Sequence, residues 1–383
     1  MRILYLNADP GVPVLGHKGA SVHVRELTRA LARRGAEVVV AAPRIAPEGD
    51  TLDDAATLAA IAPVLPTRLL DASAVREAMA AQEAQVVALV REQRIDAVYE
   101  RFSLLSDAGT RAAARAGVPH VLEVNAPLRE EALRFRTLPH AELAETVECS
   151  VLTATSRVLA VSEPVAAHVI ALCADATAVE VLPNGVRTDV PLAVPGADPA
   201  TFTVGFAGSL KPWHGVEVLV EAVARVADVV DGLRVEVAGH GPVAEALATA
   251  PLPEGRLRML GALPHREVLE RMATWDVGAA PYLPMEDFYF SPLKVLEYMA
   301  ARLCTVASAL GDLPALLGYG SRGVLVAPGD AADLARALVT LAGDPAGAAR
   351  RGAAAREHVV EHRGWDVNAE RVLDALGAVE VRA

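Results

Sequence analysis

Residues Arg2–Pro43 read RILYLNADPGVPVLGHKGASVHVRELTRALARRGAEVVVAAP. A short apolar run breaks into a loop rich in glycine and proline. An amphipathic stretch follows, with Ser21 as its expected N-cap and Gly35 as its stop. A second apolar run, AEVVVAAP, closes the segment. Short apolar runs bounded by turn residues suit strands buried on both faces. Strand, glycine loop, helix, strand is the βαβ unit of a parallel sheet, so this stretch sets the class as α/β.

Working outward, IDAVYERF, PHVLEVNAP and RVLAVSE continue as short strands between helical stretches. After a Pro/Ala-rich connector, VPLAVPGADPA, the pattern restarts: TFTVGFAGSL reads as strand into loop, GVEVLVEAVARVADVV as helix and LRVEVAG as strand. WDVGAAPYL, CTVASAL and GVLVAP supply further strands. The 383 residues exceed what a single core normally organises. The expected layout is therefore two Rossmann-like, doubly wound domains, 1–192 and 193–365, with strand C-termini facing a shared cleft. Residues 366–383 are expected to form a helix that packs back toward the N-terminal domain. The halves share an architecture but no visible sequence repeat.

A net charge of -12 argues against a general nucleic-acid binder. No apolar run reaches membrane-spanning length. LREEALRFRTLP, with Arg129, Arg134 and Arg136 near Leu133 and Phe135, reads as a surface helix, which leaves membrane contact at most peripheral. The three cysteines are widely spaced, with no CxxC and no Cys/His cluster, so reduced thiols and a cytoplasmic setting are expected.

The second half offers three anion-friendly helix starts: GSLKPWHG (Gly208–Gly215), GHGP (Gly239–Pro242) and FYFSPLK (Phe288–Lys294). Such loops bring backbone N–H groups close to a phosphate, and a helix N-terminus favours the anion. None is a Walker A loop or a GxGxxG, and singly each reads equally well as a turn. In FYFSPLKVLEYMA, Ser291 is the expected N-cap and Pro292 the first helical residue. Lys294 then lies in the first turn, the wrong end for a cation; a bound diphosphate would resolve that conflict. Glu297, one turn deeper, suits a ribose diol, or else an exposed pair with Lys294 worth a few tenths of a kcal/mol. Lys211 and His214 are the other expected cations, with a solvated loop as the plain alternative. In the first half, GHKGAS offers Gly16, Lys18, Gly19 and Ala20 as an acceptor or phosphate loop, with His17 and His23 less favoured. Glu123 and Asn125 share one face of a strand end, and Glu100 and Arg101 read as an ion pair with a neighbour. No Ser-His-Asp or Cys-His pattern, HExxH or convincing metal motif is present.

Together these blocks, with VLAVSE, VLPNGV, GALPHREV, DVGAAPYLP and WDVNAERV, resemble a retaining GT-B glycosyltransferase of family 4 across nearly the whole chain. The resemblance implies a nucleotide-sugar donor, a UDP-sugar favoured, on the C-terminal domain and a small-molecule or glycan acceptor on the N-terminal one. It implies retention with no metal or other cofactor. Glu297 matches the second glutamate of the family's two-glutamate motif, which holds the ribose. The base is expected near Leu263. The loop of Gly208, Ser209, Lys211 and His214 and the helix start at Ser291, Pro292 and Leu293 are expected at the diphosphate, with Gly239 and Gly241 also expected to bind the donor. Departures fall at Tyr289, where the first glutamate stands (Glu286 and Asp287 are out of register), at Ser209 and His214 in place of Arg and Lys, and at Asn125 in place of a cleft His. The expected catalytic set is Lys294, Asn125, His214 and Lys211. The alternatives are a sugar-nucleotide 2-epimerase of the same fold and a non-catalytic sugar-nucleotide-binding subunit.

Overall fold

The computed structural model describes residues 1–16, 18–45, 52, 54–64, 71–172, 174–194, 196, 198, 200–250, 252–286, 288–289 and 291–379. His17, Cys173, Asp287 and Phe290 lie outside these. Two compact units are present. Unit 1 holds Met1–Gly185, Tyr289–Ser291 and Trp365–Ala383; unit 2 holds Val186–Phe288 and Pro292–Gly364. The first crossing falls seven residues earlier than the connector suggests. Val186 already pairs with Gly364 and its N–H donates to Arg363 O, which ties it to unit 2.

Unit 1 is built on strands β1 (Arg2–Asn7), β2 (Glu37–Ala42), β3 (Thr57–Ala60), β4 (Ala97–Arg101), β5 (His120–Val124), β6 (Val158–Ala160) and β7 (Val179–Val181). They form one parallel sheet in the order β3-β2-β1-β4-β5-β6-β7. Its helices are α1 (Gly19–Arg33), α2 (Ala72–Glu92), α3 (Ala108–Ala116), α4 (Leu128–Phe135), α5 (Ala141–Ala154) and α6 (Glu163–Leu172). Leu4, Leu6, Val39 and Val98 of the strands pack on Val86 and Val90 of α2 and Ala112 of α3. Each such buried aliphatic contributes about 1.5–3 kcal/mol. Helix α4 leaves Leu133 and Phe135 exposed on its outer face. Helix α1 begins at Gly19 with Lys18 at the N-cap position, not at the expected Ser21, which is buried inside the first turn. Cys149 of α5 is disulfide-bonded, which corrects the expectation of reduced thiols; sequence spacing does not report proximity in the fold. Cys304 is a buried free thiol.

Unit 2 repeats the plan with β8 (Phe202–Ala207), α7 (Val216–Val226), β9 (Leu233–Ala238), α8 (Ala244–Ala248), β10 (Leu257–Gly261), α9 (His265–Met272), β11 (Val277–Ala280), α10 (Leu293–Ala300), β12 (Cys304–Ser308), α11 (Leu313–Leu316), β13 (Val324–Val326), α12 (Ala331–Gly343) and α13 (Pro345–His362). The sheet order is β10-β9-β8-β11-β12-β13, all parallel. Strand order reverses between β8 and β11, so the loops after these strands diverge and open a crevice at their C-terminal ends. Gly205 and Gly278 face each other in register across β8 and β11. A Cβ on Gly205 would strike Trp275 at 1.9 Å, and one on Gly278 would strike Tyr298 at 2.5 Å. The space so made lets Tyr298 accept from Ala207 N–H at 2.8 Å and donate to Ala279 O at 3.3 Å. That bond pair anchors α10 beneath the reversal point.

The last helix, α14 (Trp365–Ala378), belongs to unit 1 and packs on α1 through Arg33–Asp366 and Arg34–Glu370. Trp365 lies against Gly185, where a Cβ would meet its ring at 2.7 Å. Among the described residues no helix is long and apolar enough to cross a membrane.

Candidate functional site

At the reversal point of unit 2, α10 starts at Leu293, with Pro292 in the N-cap position and no side-chain cap. The expected cap, Ser291, is engaged elsewhere. Its Oγ accepts from Asn184 N–H at 3.1 Å within unit 1, so among the described residues the first-turn amides of α10 keep no capping side chain. Lys294 runs from this uncapped turn toward the glycine loop after β8. Its Nζ is buried, has no hydrogen-bond partner among the described residues, and sits 4.1 Å from the Phe206 ring centre and 5.3 Å from that of Tyr282. A Cβ on Gly208 would lie 3.2 Å from this nitrogen, and Gly208 has φ 137, so only glycine fits there. Burial pulls the Lys294 pKa down to about 7, against the attraction of Glu297. An ammonium in that state is held ready for an anion and has none of its own.

The rest of the glycine loop differs from expectation. Gly208 N–H donates to Ala238 O at 2.9 Å and Gly239 N–H to Gly261 O at 2.8 Å. A Cβ on Gly239 would fall 1.9 Å from Gly208 O, and one on Gly241 2.6 Å from Leu210 O. These glycines are required where two loops press together, and the amides of Gly208 and Gly239 are used within the fold. His214 is corrected as a cation. Burial first, then the charges of Lys294 and Lys211, bring its pKa to about 3, although the bond from Nδ1–H to Ser209 O works the other way. The ring is neutral, with Nε2 as an acceptor. Lys211 is exposed, its Nζ 5.7 Å from the Trp213 ring centre.

Glu297 does not pair with Lys294. Its Oε1 meets His265 Nε2 at 2.7 Å, with both side chains about one-seventh exposed. His265 opens α9, two residues after the half-buried Leu263. Its only sequence signal was membership of GALPHREV, and the expected site did not include it.

Unit 1 gathers a different cluster. The Glu123 carboxylate meets His23 Nε2 at 2.6 Å and Arg101 Nη1 at 3.5 Å. Burial works against its ionisation, but His23, Arg101 and Asn125 outweigh it and hold the pKa at about 2. His23 Nδ1 lies 2.8 Å from Asn184 Oδ1, and its ring stands edge-on to Trp365. Tyr5 and Tyr99 pack over the cluster, their phenols pushed well up by burial and by Glu123. Glu100 is separate: it accepts from Thr110 N–H at 3.0 Å and meets His120 Nε2 at 2.9 Å. In the α1 loop Lys18 Nζ donates to Gly11 O, and Gly16 O is held by the buried Arg25. Gly19 and Ala20 form the first turn of α1.

Two families match this chain: "Glycosyltransferase Family 4" over residues 17–190 and "Glycosyl transferases group 1" over residues 201–344. The chain is 30% identical over 293 residues to the alpha-maltose-1-phosphate synthase of Mycolicibacterium smegmatis, covering 70% of this chain and 75% of that one. It is 26% identical over 387 residues to the D-inositol 3-phosphate glycosyltransferase of Pseudarthrobacter chlorophenolicus, 94% and 90% of the two chains. Among solved structures, Anabaena HepE in complex with UDP superimposes with a TM-score of 0.75 at 19% identity, over 99% of this chain and 100% of that one. The chain belongs to glycosyltransferase family 4. Its fold is GT-B and its activity is that of a glycosyltransferase.

In this family 4 chain, the structure brings Lys294, Gly208, Ser209, Lys211 and His214 together around one crevice wall, with Glu297 one turn along α10; Leu263 lies in the loop before α9. Tyr289 sits in the unit 1 core with Leu143 and Val165, and its carbonyl accepts from Ser162 Oγ at 2.9 Å. Its place as the motif's first glutamate is therefore filled by a packing residue. Among the described residues no group of three or more His, Cys, Asp or Glu forms a metal cluster.

Proposed function

We propose that unit 2 of this glycosyltransferase holds the diphosphate of a nucleotide-sugar donor, a UDP-sugar favoured, and that the sugar passes with retention, without a metal, to a hydroxyl of a glycan, lipid-linked or specialised-metabolite acceptor. The observation that carries this reading is the unpartnered, buried Lys294 ammonium at the uncapped start of α10. A buried charge without a counter-charge is costly, and a diphosphate supplies one where the helix amides favour it. As the sugar leaves, negative charge grows on the diphosphate, and the fixed ammonium and amides stabilise it. The acceptor hydroxyl attacks from the face the diphosphate leaves, and its proton passes to the departing phosphate oxygen, so no protein base is needed. His214, neutral, serves as a hydroxyl acceptor through Nε2. Glu297 receives the ribose diol, and Asn125 orients the acceptor. HepE, solved with UDP, supports the choice of nucleotide. The epimerase alternative needs an acid/base carboxylate, and Glu123 is locked to His23 and Arg101.

The test is a thermal-shift panel of nucleoside diphosphates and their sugars in EDTA. A ligand that binds only the native state raises the melting temperature. UDP is expected to give the largest shift and Lys294→Ala to remove it. Shifts that need a divalent cation, or that survive Lys294→Ala, refute the assignment.

A further inference from the structure

Helix α10 carries Lys294 and Glu297 three residues apart, a spacing at which a helix joins opposite charges in a pair. They are not joined. Glu297 Oε1 is drawn to His265 Nε2 at 2.7 Å, from a residue 32 positions away, while Lys294 Nζ has no hydrogen-bond partner. In the low-dielectric wall lined by Phe206 and Tyr282, a carboxylate one turn along the helix is the strongest counter-charge available to that ammonium. A Lys294–Glu297 contact would take both groups out of use.

We propose that His265 is a positioning residue that keeps the Glu297 carboxylate off Lys294, so that the ammonium stays open to a diphosphate and the carboxylate stays turned to a ribose diol. The assignment rests on the diphosphate site proposed above. The ring nitrogen gives Glu297 a charge-assisted bond that anchors one oxygen and leaves the other without a hydrogen-bond partner among the described residues. His265 can do this because it is the first residue of α9, fixed at the end of the loop that follows β10. It touches neither the diphosphate nor the transferred sugar, and it acts by deciding which partner Glu297 takes.

The test uses the full chain, calorimetry at one fixed pH, and two probes: inorganic pyrophosphate, which has no ribose, and UDP. His265→Ala is expected to weaken pyrophosphate about tenfold, the size of a coupling between contacting residues. Glu297→Gln alone weakens UDP, and its pyrophosphate affinity is the reference for the double variant. In the double variant, pyrophosphate affinity returns to near that reference, because the competing carboxylate is gone. His265→Gln, which still places an N–H near Oε1, stays close to wild type with both probes. A merely structural role would make the double variant at least as weak as His265→Ala, and that result overturns the proposal. So does unchanged pyrophosphate binding in His265→Ala. His265→Leu carries the same comparison if the alanine chain does not fold. Loss of pyrophosphate binding in Lys294→Ala alongside an additive cycle sinks only the role of His265. Pyrophosphate binding indifferent to Lys294→Ala sinks the diphosphate site as well.

Discussion

In unit 1 the buried carboxylate of Glu123 meets His23 at 2.6 Å and Arg101 at 3.5 Å. In unit 2 the buried ammonium of Lys294 meets the faces of Phe206 and Tyr282 and, among the described residues, has no hydrogen-bond partner. Both charges lie near the C-terminal ends of parallel strands in sheets of the same plan. One is met by His23 and Arg101 and its pKa moves toward the charged form; the other is buried with only the more distant attraction of Glu297 and its pKa moves toward neutral. A completed ion cluster contributes to holding helices on a sheet. An incomplete one costs stability, and such strain persists at sites kept for a ligand.

The sharpest way to break this contrast is Lys294→Met. Turnover is expected to fall about 10²–10³-fold, the loss typical when one transition-state charge stabiliser is removed, and donor affinity to fall with it. The same variant is expected to melt at a higher temperature than the wild type at pH 7. The sign follows from linkage: the folded pKa is about 7 against 10.5 unfolded, so the fold is penalised below pH 10.5, increasingly so down to about pH 7. The stabilisation by methionine should therefore shrink to nothing as pH approaches 10.5. A melting temperature equal to or below wild type at pH 7 refutes an uncompensated charge at this position.

Glu123→Gln is the matching change in unit 1. Removing one partner of a buried ion cluster leaves the others uncompensated, and the expected loss is on the order of 3 kcal/mol. Pyrophosphate affinity should not move. In the wild type, the stability this carboxylate contributes is present above about pH 4.5 and lost as pH falls toward 2. Denaturant melts at pH 7 and pH 3 check both statements; equal destabilisation at the two values would sink them.

What the sequence revealed follows from range. The strand runs at Arg2–Asn7 and Phe202–Ala207 are local patterns, legible from periodicity and from the glycines that stop them. Lys294 was legible for the same reason, since a lysine in a first helical turn is a local anomaly. The misread features depend on partners far along the chain. Ser291 bonds to Asn184, 107 residues away, instead of capping its helix, and Glu297 pairs with His265 and not with Lys294. The neighbouring loop that demands Gly239 and Gly241 is likewise invisible in the string. His214 looked cationic because burial, which neutralises it, is a property of the fold.

The mildest perturbation is pH itself, and it separates the two units without a substitution. A UDP-sugar diphosphate does not titrate between pH 6 and 9, and His214, at about 3, stays neutral throughout. The ammonium form of Lys294 is the one that binds the anion. With its free-enzyme pKa at about 7, affinity should be flat with respect to this group below pH 7. Above it, affinity should fall by up to tenfold per pH unit, since one unit corresponds to about 1.4 kcal/mol. The fall ends where the pKa of the bound state, raised by the diphosphate, is reached. Lys294→Arg, always charged, should flatten the profile even if it binds more weakly. An affinity profile that stays level from pH 6 to 9 in the wild type would mean that Lys294 is fully charged before the donor arrives. Unit 2 would then hold a compensated charge, as unit 1 does.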